Sequence, residues 1–173
     1  MANISLTRVN QKLAQARVLL TGVDEEQLTP VQQNSLQEAA AFHLVCAYQH
    51  YLREIAESYG LKNTAAIRSE ADLTAAFYAA KKQPVEANEL LALRDNANSW
   101  VQQLHSYYQG LWLPPKVATA VEATEEEEGS NIIAAVNIDP SIAVAPVDIA
   151  LILSWHADFV ALARRQRETS AEF

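Results

Sequence analysis

One run of sequence constrains the fold more than any other: from Thr29-Pro30 to Tyr59-Gly60 nothing interrupts a helical pattern. Thr29 is an N-cap residue, and Pro30 suits the first helical position, where a missing N–H costs no hydrogen bond. Gly60 falls at the C′ position, where the backbone turns left-handed. A helix of about 30 residues is roughly 45 Å long at 1.5 Å per residue, and a chain of this size must build around it. Only 4 glycines and 6 prolines in 173 residues argue against a turn-rich β sandwich and for long helices.

Shorter patterns flank this spine. Leu6, Val9, Leu13, Ala16 and Leu20 form one stripe of a first amphipathic helix over residues 3 to 21, closed at Gly22. A third helix carries Leu73, Ala76, Phe77 and Ala80. A fourth starts at Pro84 and is expected to reach Trp112, where Pro114-Pro115 stop it, unless the cluster Asp95 to Ser99 splits it. A last helix from about Pro146 to Glu168 follows the stripe Ile149, Leu153, His156, Val160 and Ala163. Residues 113 to 145 have no helical period. Their Ile132, Ala134, Val136 and Ile138 alternate ahead of an Asp-Pro-Ser turn, which suits an extended arm or a short hairpin. The reading is all-α: an antiparallel bundle of four to five helices in one domain, with a long central second helix and one acidic, partly extended excursion before the last.

Charge and cysteine usage narrow the function classes. The formal charge is −8, and Glu122 with Glu125 to Glu128 supplies five of the acidic residues, so the remaining sequence is nearly balanced. No basic surplus exists to displace counterions from phosphate, which argues against direct nucleic-acid binding. The most apolar stretch is broken by Pro146 and Asp148 and falls short of the roughly 20 residues of a membrane span. The N-terminal stretch lacks an apolar export signal, and the single cysteine, Cys46, allows no internal disulfide, so a reduced thiol in a cytoplasmic protein is expected.

Within the spine, His43, Cys46 and His50 share a helix face with Glu54. Together with His156 they are the candidates for a metal or small-ligand site. Two facts count against it. His43 and His50 are seven residues apart, about 10.5 Å along the axis, whereas zinc helices use i, i+4. The residues three before them are alanines, so the Glu-x-x-His pair of di-iron bundles is missing. Buried histidines bonded to carboxylates or tyrosines are the plainer expectation. Cys46 beside His50 is a nominal nucleophile and base, but an apolar helix middle raises a thiol pKa, and no phosphate loop or nucleophile elbow is present. No catalytic residue, metal or cofactor is therefore expected. Arg164, Arg165 and Arg167 suit the negative end of the last helix, and are also candidates for docking an acidic partner or Glu125 to Glu128. Ile132, Ile133, Val136 and Ile138, following an acidic run, are candidates for a partner-binding segment.

Four stretches carry a resemblance: "LTRVNQKLAQARVLL", "EAAAFHLVCAYQHYLREIAESYG", "SWVQQLHSYYQGLWLPP" and "SWHADFVALARRQRE". Together they resemble an uncharacterised proteobacterial family of small helical cytoplasmic proteins, a domain of unknown function. The resemblance implies an all-helical fold and offers no catalytic residues. The expected function is a non-enzymatic adaptor or regulator acting on an unidentified protein partner, with a homo-oligomer as one form of it. The alternative is a metal- or small-ligand-binding bundle using histidines of the second and last helices.

Overall fold

The computed structural model describes residues 4–114 and 147–170. These form six α-helices and two short 3₁₀ turns, with no strand among them: α1 (Ile4–Leu20), α2 (Pro30–Ser58), α3 (Glu70–Ala79), α4 (Val85–Asp95), α5 (Trp100–Gly110) and α6 (Ile149–Ser170). The predicted arm or hairpin, with Ile132, Ile133, Val136 and Ile138, lies outside the described residues.

The spine forms as its ends dictate. The Thr29 side chain accepts from the Gln32 N–H, and Gln32 reaches back to the Thr29 N–H, a reciprocal capping box with Pro30 opening the helix. Gly22 and Gly60 both turn left-handed, at φ 75° and 72°, and close α1 and α2 without a Cβ penalty.

α1 packs antiparallel on α2, as the pairs Ser5–Glu57 and Lys12–His43 show. α5 is also antiparallel to α2, with Phe42 beside Tyr108 and Tyr48 beside Trp100. α6 runs parallel to α2, since Tyr48 meets Phe159 and Tyr51 meets Gln166. α3 and α4 form a hairpin over the C-terminal end of α2, where Tyr59 packs edge-on against Phe77. At the centre, Phe159 stacks on Trp100 at 5.1 Å and meets Tyr48 and Tyr51 edge-on at 5.9 and 5.6 Å.

Three details correct the sequence reading. The fourth helix is two. Asn96 and Ser99 divert the chain: Ser99 caps α5 by accepting from Gln102 N–H at 3.1 Å and donates its hydroxyl to the Leu93 carbonyl. Ser99→Ala should cost about 1 kcal/mol. Its melting temperature should fall by about 2–4 °C, measured calorimetrically.

The buried stripe of α6 is also displaced. Ile149, Ile152, Trp155, Phe159, Leu162 and Ala163 face the core, whereas Leu153 and His156 are half-buried and Val160 is 41% exposed. Two overlapping stripes satisfy the same 3-and-4 spacing in this alanine-rich helix. The one carrying Trp155 and Phe159 removes more apolar area from water, and it wins.

Finally, the face of α2 that carries His43, Cys46 and His50, whose histidines were expected to be buried, lies outside the core. From Glu54 to Ala56 the core side chains of α2 span an arc of about 200° at 100° per residue. Outside that arc lie Phe42, His43, Cys46, Gln49, His50 and Arg53, half-buried or exposed.

Candidate functional site

The outward face of α2 is where the candidate residues meet. Lys12 of α1 reaches across to His43, donating to Nδ1 at 3.4 Å, and its ammonium also lies 5.9 Å from the Phe42 ring centre. Phe42 is 45% exposed and packs on Tyr108 of α5 at 6.5 Å, and Tyr108 on Trp112 at 6.1 Å. Trp112 is itself 75% exposed, with exposed Leu113 beside it. A continuous strip of a cation and three aromatic rings thus runs over α1, α2 and α5. Arg8 and Arg53 lie near its His50 end and, with Lys12, weigh on that imidazole. Among the described residues, Arg8, Lys12 and Arg53 have no carboxylate within ion-pair distance.

The expected metal candidates do not converge. Among the described residues no three His, Cys, Asp or Glu side chains come together as a ligand group. His156 donates Nε2–H to the Leu13 carbonyl at 3.1 Å, and His105 donates Nδ1–H to Val101 at 2.8 Å while packing edge-on against Tyr48 at 5.1 Å. The hydrogen-bond partners of His43, His105 and His156 are therefore a lysine and two backbone carbonyls, not carboxylates or tyrosine hydroxyls. Burial pushes the half-buried Cys46 thiol up, against the pull of Lys12.

All four histidines are held below the ordinary imidazole value of 6.5, in each case first by burial. Lys12 adds to this at His43, and Arg17 at His156. Above that value both folded and unfolded chains carry neutral histidines, and no cost arises. Below it the unfolded chain takes up protons that the folded chain resists, so stability falls with pH. Urea midpoints should therefore drop between pH 7.5 and 5.5; a midpoint that is level or rises over this range would contradict the neutral imidazoles.

The buried polar groups elsewhere in the fold are committed to each other. Arg167 grips both oxygens of Glu54, at 2.6 and 2.9 Å, with Glu54 only 4% exposed, and also reaches Asn10 at 3.2 Å. Tyr51 donates to Gln166 at 2.6 Å, and Gln166 donates to Glu89 at 2.7 Å. Arg165 takes the other Glu89 oxygen at 2.5 Å. Burial would raise the Glu89 carboxyl, but the bonds from Arg165 and Gln166 outweigh it and hold it below its ordinary value. Glu70 accepts from Tyr48 at 2.8 Å and Glu86 from Tyr59 at 2.9 Å. Of these groups Tyr59, Glu86, Glu89, Arg165 and Gln166 line a cleft of ≈ 510 Å³ between the end of α2, the start of α4 and α6. Of the three candidate arginines, Arg167 is occupied structurally, Arg165 is tied to Glu89, and Arg164, among the described residues, makes an exposed i, i+4 pair with Glu168.

The whole chain, residues 1–173, matches the model of a family described as "Family of unknown function (DUF6586)". The chain belongs to this family. No curated protein and no solved structure matches it significantly. For this DUF6586 member no described helix is long and apolar enough to cross a membrane. The aromatic strip was missed at the sequence level. Tyr108 and Trp112 are spaced i, i+4, but only the antiparallel docking of α5 on α2 puts Phe42 beside them.

Proposed function

We propose that the protein is a non-enzymatic adaptor or regulatory protein, acting in the cytoplasm of a proteobacterium through contacts with another polypeptide. The setting rests on the sequence resemblance. The contact reading is carried by one observation, the Lys12–Phe42–Tyr108–Trp112 strip. Large aromatics left in water are unfavourable by roughly 25 cal/mol per Å² of apolar surface, and aromatic anchors beside a cation are what interfaces use as hot spots. Lys12, Arg8 and Arg53, with no carboxylate in ion-pair distance among the described residues, favour a partner with acidic and apolar side chains. With a total charge of −8, a phosphate backbone is a poor match for so few cations. The buried carboxylates support the non-enzymatic part. Glu54, Glu70 and Glu86 each hold a hydrogen bond within the fold, so none stands ready as an acid or base in a cleft.

The test is a pair of surface variants, Trp112→Ser and Lys12→Glu. Both should melt within about 2 °C of the parent, since exposed substitutions change stability by no more than about 0.5 kcal/mol. Quantitative co-purification from native lysate should show the specific partners reduced at least about tenfold, the loss of one 1.4 kcal/mol anchor. Unchanged recovery by both variants would refute the strip as the contact.

A further inference from the structure

Past Lys12 the outward face of α1 and α2 changes from aromatic to basic. Ser5 donates to Glu57 at 2.7 Å and Lys12 to His43 at 3.4 Å, which fixes the antiparallel register of the two helices. Arg8 lies between Ser5 and Lys12, one turn before Lys12 on the same side of α1, and His50 lies midway between His43 and Glu57 on α2. The register therefore sets Arg8 opposite His50, with Arg53 one turn further along α2. The charges of Arg53, Arg8 and Lys12 all act on the half-buried His50 imidazole, and that of Glu57 opposes them. Three cations against one carboxylate leave a surplus of two positive charges around one side chain, in a chain whose total charge is −8. Glu57 is held by hydroxyls, its Oε1 accepting from Ser5 and, at 3.2 Å, from Thr64. The cations keep donors to spare. Arg53 spends Nε on the Ile67 carbonyl at 3.0 Å and Arg8 spends Nη1 on Gln11 at 2.9 Å. Among the described residues neither arginine meets a carboxylate within ion-pair distance.

We infer that Arg8, Lys12, His50 and Arg53 form a binding site for a phosphate monoester, carried on a side chain of the polypeptide that docks on the aromatic strip. The inference rests on the reading of that strip as a contact with another polypeptide. Charge chooses the ligand. A phosphate monoester carries about −1.5 to −2 at neutral pH, which matches the surplus. A single carboxylate leaves half of that surplus in place, as does the one charge of a phosphodiester. Two carboxylates supply the charge only by crowding over one imidazole, where they repel each other. The donors agree with this choice: the remaining N–H groups of two guanidiniums and the Lys12 ammonium come from two helices, a set that suits phosphate oxygens. Lys12 decides the source. It serves both features, lying beside His43 and 5.9 Å from the Phe42 ring centre, so a phosphate bound here sits at the end of the strip. The chain that carries it continues over Phe42 and Tyr108. One phosphate group is required, not a backbone of them, so the poor match to nucleic acid stands.

Two measurements on the full-length chain test this. In the first, phenyl phosphate and phenylacetate are titrated at low salt while the His50 ring signals are followed by NMR. The pH is held at about 7.5, above the second pKa of the phosphate at about 6. Phenyl phosphate should bind at least about tenfold more tightly than phenylacetate. Arg8→Gln, at an exposed position that keeps the fold, should remove most of that preference, and Arg53→Gln should do the same. Trp112→Ser should leave it unchanged. In the second, the native lysate is treated with a phosphatase before co-purification. Recovery of the specific partners should fall at least about tenfold, as it should on untreated lysate with the variant Arg8→Gln/Arg53→Gln. Equal affinity for the two probes would overturn the proposal, and so would full preference in Arg8→Gln. Recovery lost by Trp112→Ser but unmoved by the phosphatase would overturn it too, while leaving the strip as the contact.

Discussion

Arg167→Ala should lower the melting temperature by about 6–12 °C. Removing one partner of a buried pair typically costs about 3–5 kcal/mol. Here the lower end applies, because the Arg167 side chain keeps 30% of its surface in water. A loss of about 3 kcal/mol in a chain of this length gives the stated shift. The cost comes from Glu54, left 4% exposed with two oxygens that had been filled by one guanidinium. Glu54→Leu should be milder, since the stranded arginine can rehydrate. The double variant Glu54→Leu/Arg167→Leu should be milder than Arg167→Ala too, as both charges leave together. A double-mutant cycle measured by urea unfolding checks the order; a cost for Arg167→Ala within the range of ordinary surface changes would show that the pair is not what joins α6 to α2.

Phe159→Ala should be more damaging still, by about 3–5 kcal/mol, the usual range for emptying an aromatic site in a core. The ring is completely buried, stacked on Trp100 and met edge-on by Tyr48 and Tyr51, so its loss opens a space where three helices meet. Against a total stability of about 5–15 kcal/mol this is enough to leave much of the chain unfolded at 37 °C. Val160→Ala, one residue on, should change stability by no more than about 0.5 kcal/mol. Equilibrium unfolding of the two variants reads the register of α6 directly. The reverse ranking would restore the stripe through Leu153, His156 and Val160.

That contrast shows where sequence pattern was sufficient and where it was not. The spine was legible because its signals are local: Thr29, Pro30 and Gly60 act within one turn of the ends they mark. The break between α4 and α5 was legible as an alternative for the same reason, since Asn96 and Ser99 offer the backbone other hydrogen bonds. The face of α6 was not, because spacing identifies stripes but does not rank two that overlap. Nor could periodicity tell that the His43–Cys46–His50 face of α2 turns outward; it groups residues on a face without saying what covers them. Spacing placed Glu54 beside His50 on one helix face, and its partner is Arg167, 113 positions along the chain. No local rule pairs residues so distant. The strip has the same origin, being assembled from α1, α2 and α5 only when they pack.

The most direct test of the contact account is a photo-crosslinking residue placed at position 112, compared with one at position 78. Both sites are exposed, Trp112 at 75% and Tyr78 at 82%, and only the first lies on the strip. After irradiation in cells, the account predicts discrete protein adducts from position 112, lost in a Lys12→Glu background, and none in common from position 78. The same adducts at equal yield from both positions, or none from position 112, would contradict it.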